Sequence, residues 1–328
     1  MQVLVTGAAG MLGRKLVARL ATMGAIGGRP ITRLHLHDIV APVAPAAAAP
    51  FEVEATASDL SVAGEAERLV ADQPAVIFHL AAIVSGEAEA DFDKGYRVNL
   101  DGTRRLFEAI RASAPSAPPR LVFTSSIAAF GAPFPDTIDD DFLLAPLTSY
   151  GTQKAICELL LSDYSRRGIF DGVGIRLPTI CVRPGAPNKA ASGFFSNIIR
   201  EPLNGQDAVL PVPDETMHWL ASPRAAVGFL VHAASLAAAH LGPRRNVTMP
   251  GVAVTVAEQI EALRRVAGER VVQRIRSEPD PTIASIVAGW PRRFEARRAH
   301  ELGFQADRSF DEIIRIHIED ELGGQFVA

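Results

Sequence analysis

The sequence predicts an α/β protein, a doubly wound parallel sheet with a smaller C-terminal α/β lobe, and three observations carry that expectation. Short apolar runs alternate with amphipathic stretches through the first half of the chain, the pattern of a parallel sheet covered by helices on both faces. Three glycines spaced three apart mark the junction between the first run and the first amphipathic stretch. Beyond Gly185 the alternation becomes irregular, which sets off a second region.

Taken in order, residues 2–6 form a first strand, and Met11 to about Thr22 a helix with apolar residues at helical spacing. Arg33 to Ile39 reads as a second strand, and APVAPAAAAP after it as surface loop. A third strand is expected shortly before Asp59. Apolar runs at 74–80, 119–125 and 172–182 then alternate with helical stretches near 61–72, 99–113 and 150–168. In the second region helices are expected near 192–204, 223–239, 255–267 and 309–322, the third opened by a capping box of Thr255 and Glu258. The expected division is 1–184 for the sheet and 185–328 mainly for the lobe.

Composition removes several classes of function. The net charge of -4 offers no footprint for a polyanion, so Arg292, Arg293, Arg297 and Arg298 read as solvated faces and no nucleic acid is expected. The two cysteines, Cys157 and Cys181, make neither a disulfide framework nor a zinc-ligand spacing. His35 and His37 share a strand face but lack a third ligand, so no metal is expected. No apolar run approaches the roughly 20 residues that span a bilayer. A cytoplasmic protein without a membrane partner is the expectation.

Gly7, Gly10 and Gly13 suit a turn that hugs a pyrophosphate at a helix N-terminus: one for the tight turn, one for close approach, one for packing helix on strand. Asp38 closes the second strand, where a carboxylate accepts hydrogen bonds from ribose hydroxyls and repels a 2'-phosphate. Ile39 and Val40 follow it in place of a cation, which favours NAD over NADP. Asp59 and Leu60, after the third strand, are candidates for the adenine.

Tyr150 and Lys154 lie one turn apart at the start of a predicted helix. An ammonium beside a phenol is expected to draw the tyrosine pKa down towards neutrality. The phenolate then takes a proton from an alcohol whose hydride leaves for the nicotinamide, while a hydroxyl such as that of Ser126 holds the substrate oxygen. Ser125 and Ser126 follow an apolar strand, at the end where open parallel sheets place their ligands.

The motifs TGAAGMLG at 6–13, HLAA at 79–82, NLDGT at 99–103, FTSSIAAFG at 123–131 and YGTQK at 150–154 together resemble the extended short-chain dehydrogenase/reductase family. The likeness runs over nearly the whole chain and implies a Rossmann-type fold. It makes Ser126, rather than Ser125, the catalytic serine beside Tyr150 and Lys154. It places Ala9, Met11, Leu12, Ala81, Ala82, Pro178 and Thr179 along the cofactor and makes Asn99 structural or part of a proton relay. It also puts Ser85 with Ser126 and Tyr150 on the substrate and implies a homodimer through helices that include the one carrying Tyr150.

Two departures bear on the substrate. Phe130 stands where sugar-nucleotide epimerases often carry tyrosine, and TMHWL at 216–220 lacks the arginine that they direct at a diphosphate. The stretch RLPTICVRPGAPNKAASGFFSNIIREPLNG from Arg176 to Gly205, with HWLASPRAAVGFLVHA after it, is similar to the D-erythronate dehydrogenase branch. That resemblance implies oxidation of the 2-hydroxyl of a four-carbon sugar acid. A carboxylate needs a cation or a helix N-terminus, and Arg183, Asn188, Lys189 and Ser192 precede a predicted helix. His218 and Trp219 read equally as packing or as site residues. A nucleotide-sugar epimerase or dehydratase, and a non-catalytic NAD-binding scaffold, are the alternatives.

Overall fold

The computed structural model describes residues 1–46, 49–185 and 191–327. Seven strands form its central sheet: β1 Gln2–Thr6, β2 Arg33–Asp38, β3 Glu52–Ala57, β4 Val76–His79, β5 Arg120–Ser126, β6 Asp171–Leu177 and β7 Asn246–Thr248. They lie in the order β7-β6-β5-β4-β1-β2-β3, with every neighbouring pair parallel. The chain winds outward from β1 to β3 and then returns to lay β4 on the other side of β1. That reversal opens a crevice at the carboxyl ends of the strands.

Successive strand side chains point to opposite faces, and both faces are covered. Val3 and Val5 pack with Leu16 and Leu20 of the Met11–Met23 helix and with Phe229 and Leu230 of the Pro223–Ser235 helix. Leu4 and Ile77 face the other way, onto Leu106 and Phe107 of the Gly102–Ser113 helix and Cys157 and Leu161 of the Ser149–Arg166 helix. Each fully buried aromatic here, such as Phe78 or Phe107, contributes about 1.5–3 kcal/mol.

The lobe has its own core, where Phe195 and Ile198 of the Gly193–Leu203 helix meet Leu263 of the Val256–Ala267 helix and Ile313 of the Phe310–Leu322 helix. The capping box forms: the Thr255 hydroxyl accepts from Glu258 N at 3.1 Å, and Thr255 N donates to the Glu258 carboxylate at 2.7 Å. The strand Met217–Ala221 pairs with both Thr179–Ile180 and Val252–Thr255 and so ties the lobe to the end of β6.

The chain beyond residue 184 also returns to the sheet, through β7 on the edge of β6 and through the Pro223–Ser235 helix on one face. A three-residue strand leaves too little periodicity to read in advance. The apolar run at 172–182 is interrupted at Pro178, which has no N–H to give a ladder, and resumes as Thr179–Ile180. Short helices at Ser85–Ala90, Phe92–Gly95, Pro281–Ala288 and Arg297–Glu301 are additions to the expected pattern. Among the described residues no helix is long and apolar enough to cross a membrane.

Candidate active site

A continuous cleft of about 470 Å³ runs across the carboxyl ends of β1, β4, β5 and β6. At its first end Gly7 has φ +75°, and a Cβ there would lie 2.6 Å from Ala81 N; a Cβ on Gly13 would lie 2.1 Å from Gly7 O. Only glycine lets these three segments meet. Gly10 is the N-cap of the Met11–Met23 helix and supplies no capping side chain, which leaves the helix amides open to an anion. The Asp38 carboxylate accepts from Ala9 N at 2.9 Å and from Ile39 N at 2.7 Å, so it is fixed against the same turn. Open amides beside an anchored carboxylate fit a dinucleotide.

Gly7, Gly10, Met11, Leu12, Gly13, Ala82 and Ser85 line the cleft, whereas Ala9, Asp38, Asp59, Leu60, Ala81 and Asn99 lie outside its lining. Asp59 has both oxygens engaged, one by Ser61 N and Oγ at 2.8 and 2.6 Å and the other by Arg97 at 2.9 Å. Leu60 is buried. Asn99 accepts from Ile83 N at 2.9 Å and donates to Gln153 Oε1 at 2.8 Å, which holds the loop after β4 in place from behind.

Mid-cleft, Thr148 caps the Ser149–Arg166 helix by accepting from Gly151 N at 3.1 Å. A Cβ on Gly151 would lie 2.1 Å from Ala128 O, so glycine lets the helix start press onto the turn after Ser126. Ser126, Tyr150 and Lys154 are thereby brought to one place on the cleft wall. Lys154 Nζ donates to Thr124 O at 2.8 Å and lies 5.6 Å from the Tyr150 ring centre. Burial lowers the Lys154 pKa to about 8 and raises that of Tyr150 to about 12, the latter opposed by Arg183 and by a hydrogen bond with Ser126. This corrects the expectation of a phenol drawn towards neutrality by Lys154: desolvation of the phenol outweighs its neighbours, and the cation that acts on it is Arg183.

Ser125 also lines the cleft, but its hydroxyl is committed to Glu158, to which it donates at 2.5 Å. Glu158 in turn takes Arg176 in a bidentate pair at 3.0 and 2.7 Å, and Arg176 lies 5.0 Å over the Phe130 ring. Glu158 continues the face of Tyr150 and Lys154 by one more turn, a spacing that could have found it.

At the far end Arg183 donates to Ile180 O at 3.0 Å and to Ser192 Oγ at 3.1 Å, and among the described residues it has no carboxylate partner. Burial pushes its pKa below the ordinary arginine value. Arg200, by contrast, is committed to Glu201 at 2.5 Å, Asn197 at 2.8 Å and Arg183 O at 2.7 Å. Asn188 and Lys189 lie outside the described residues. Pro178, Thr179 and Ser192 line this end, and His218 joins Thr179 Oγ1 at 2.7 Å. Trp219 instead packs with Phe294, its indole N–H on Met249 O at 3.1 Å. Ser196, Asn197, Arg200 and the segment Gly289–Trp290–Pro291 were missed by the sequence reading. The 192, 196, 200 spacing would have pointed to the first set; nothing local announces the second. Among the described residues no group of three or more His, Cys, Asp or Glu is placed to hold a metal ion.

A model of the NAD dependent epimerase/dehydratase family matches residues 3–221. The D-erythronate dehydrogenase of Cupriavidus necator is 51% identical over 98% of this chain and 98% of its own, and that of Haemophilus influenzae 42% identical over 98% and 100%. The crystal structure of a nucleoside-diphosphate-sugar epimerase from Agrobacterium tumefaciens matches with a TM-score of 0.97 and 64% identity, covering 99% of this chain and 95% of that one. The chain belongs to the NAD dependent epimerase/dehydratase family. Its cofactor is NAD, and it is an NAD-dependent oxidoreductase acting on a CH–OH group.

Proposed function

We propose that this enzyme oxidises the 2-hydroxyl of a small aldonate, D-erythronate, to the 2-oxo acid. The observation that carries the proposal is Arg183, a half-buried cation without a carboxylate partner among the described residues, in the same cleft as Tyr150 and Ser126. A half-buried guanidinium without a counter-ion attracts an anion such as a carboxylate. The names of the two full-length relatives support the same substrate.

Bound NAD supplies the hydride acceptor and a positive ring that adds to Arg183 and Ser126 in favouring the phenolate. In this proposal Tyr150 removes the hydroxyl proton, Ser126 holds the oxygen, and Lys154 fixes the ribose and the field around Tyr150. Arg183 with Ser192, and Asn188 and Lys189 next to them in sequence, take the carboxylate, while Ser85 meets the substrate from the start of the Ser85–Ala90 helix. The glycine turn from Gly7 to Gly13 holds the pyrophosphate, Asp38 the ribose, and Asp59 and Leu60 the adenine. Ala81, Ala82, Pro178 and Thr179 flank the nicotinamide half, with Asn99 behind them.

A nucleotide-sugar epimerase is the second reading, favoured by the likeness to the Agrobacterium tumefaciens protein, which bears that name. A diphosphate calls for a second cation, and among the described residues the arginine next to Arg183, Arg200, is already neutralised by Glu201. Incubating the enzyme with NAD and a panel of four- to six-carbon aldonates decides between them. NADH accumulation with an aldonate supports the dehydrogenase; conversion of a UDP-sugar without NADH release, and no aldonate oxidation, overturns it.

The division into a cofactor part at 1–184 and a mainly substrate-binding part at 185–328 belongs to the same proposal. So does a homodimer through the Ser149–Arg166 helix, where Leu159 is 69% exposed. A cytoplasmic location agrees with two free, buried cysteines.

A further inference from the structure

The cleft crosses the sheet from the glycine turn after β1, past Ser126 at the end of β5, to Thr179 beyond β6. The segment Gly289–Trp290–Pro291, contributed from far down the chain, also lines it, beside His218. We propose that Trp290 is a specificity-determining residue, an end wall that limits how long a sugar acid the enzyme accepts. This rests on the aldonate reading above.

The wall is pinned from several directions. The His218 ring lies flat on Phe195, with centroids 5.0 Å apart and planes 6° apart, and meets Trp290 at 5.4 Å. His218 Nδ1 faces Pro291 O at 3.1 Å, so that nitrogen carries the proton and Nε2 accepts from the Thr179 hydroxyl. Burial lowers the His218 pKa to about 4, which keeps the ring neutral and this tautomer in place. On the upstream side Trp290 N donates to Val287 O at 3.0 Å; downstream, Ile138 N donates to Arg293 O at 3.0 Å and Glu295 N to Ile138 O at 2.8 Å. An indole held this way is a fixed surface. Its N–H has no acceptor among the described residues, so it offers a short polyhydroxy chain an apolar face and one donor. Tyr150, Arg183 and Trp290 line the same cleft, so a sugar acid lengthened by one or two CHOH units has to be accommodated against this ring.

The test compares kcat/KM of the NAD-loaded enzyme for four-, five- and six-carbon aldonates in wild type, Trp290→Ala and Trp290→Phe. The six- to four-carbon ratio should rise on the order of tenfold to a hundredfold in Trp290→Ala and less in Trp290→Phe. NADH affinity, read by fluorescence, should stay within about twofold. A ratio that does not move, in a wild type that does oxidise the four-carbon acid, overturns the wall alone; a wild type that oxidises no aldonate overturns the substrate reading as well. Because the chain has only two tryptophans, a second readout stands even if Trp290→Ala does not fold. With ADP-ribose filling the nucleotide end, the four-carbon acid should shift the emission of wild type but not of Trp290→Phe, and a shift that persists in that variant overturns the proposal.

Discussion

At one end of the cleft, Gly7, Gly13 and Ala81 meet main chain to main chain, and the one important side chain, Asp38, is bonded to that same backbone. At the other end Arg183, Arg200, His218 and Trp290 come from four segments and are held by side chains that reach a neighbour's carbonyl or ring, as Arg200 does to Arg183 O and His218 to Trp290. The first end is selected for shape and has no room for an added methyl. The second presents charge and an aromatic face, and none of its four residues lies in the seven-stranded sheet.

Substitutions should separate the two ends by what each loses. Tyr150→Phe, at the junction, should lower turnover on the order of 10² to 10⁴ with NADH affinity nearly intact, because packing survives and only the proton-transfer group goes. Retention of more than about a third of wild-type turnover would remove Tyr150 as the base. Arg183→Met should raise KM for the aldonate on the order of tenfold to a hundredfold, matching loss of a charge-assisted bond of about 1.5–3 kcal/mol. If NADH affinity falls in parallel, the two ends are not independent. Gly13→Ala should show the reverse, with NADH bound on the order of tenfold more weakly through overpacking of about 1–3 kcal/mol, and KM for the aldonate changed less. NAD should be preferred to NADP by at least about tenfold in catalytic efficiency, a demand of only about 1.4 kcal/mol, and Asp38→Ser should erase the preference; equal efficiency in wild type would refute the Asp38 assignment.

The smallest effect links both ends to pH. His79 is buried between Thr6 at 2.7 Å and Thr103 at 2.9 Å, and burial lowers its pKa to about 3; that of His218 falls to about 4. Unfolded, both titrate near 6.5, so between these values the unfolded chain binds protons that the folded one refuses. Stability is complete above about pH 6.5 and declines as pH falls towards 4. The melting temperature should drop between pH 7 and pH 5, and His79→Asn or His218→Asn should flatten that slope; slopes equal to wild type would show that other groups control it.

The contrast also explains what the sequence discloses. Backbone-built sites leave glycines and strand ends at fixed intervals, so the turn at 7–13, Asp38 and the Tyr150/Lys154 register could be read directly. Trp290 could not, because a lone tryptophan in an irregular stretch gives no sign of which distant wall it joins. The raised pKa of Tyr150 escaped for a similar reason: helix spacing reveals the nearby ammonium but not the desolvation that outweighs it.

The last strand of the sheet also braces the helix that bears Tyr150 and Lys154. Asn246 in β7 reaches across Gly174, where a Cβ would lie 2.0 Å from its Oδ1, and donates to Glu158 O at 3.1 Å and Ser162 Oγ at 3.0 Å on the helix that bears Tyr150 and Lys154. During synthesis from the N-terminus, the catalytic helix is complete long before this clasp emerges from the ribosome, and β6 meanwhile presents an open edge to any neighbouring strand. A nascent chain stopped before Asn246 already holds Ser126, Tyr150 and Lys154 yet lacks the tie from β7 to their helix and keeps the β6 edge unpaired.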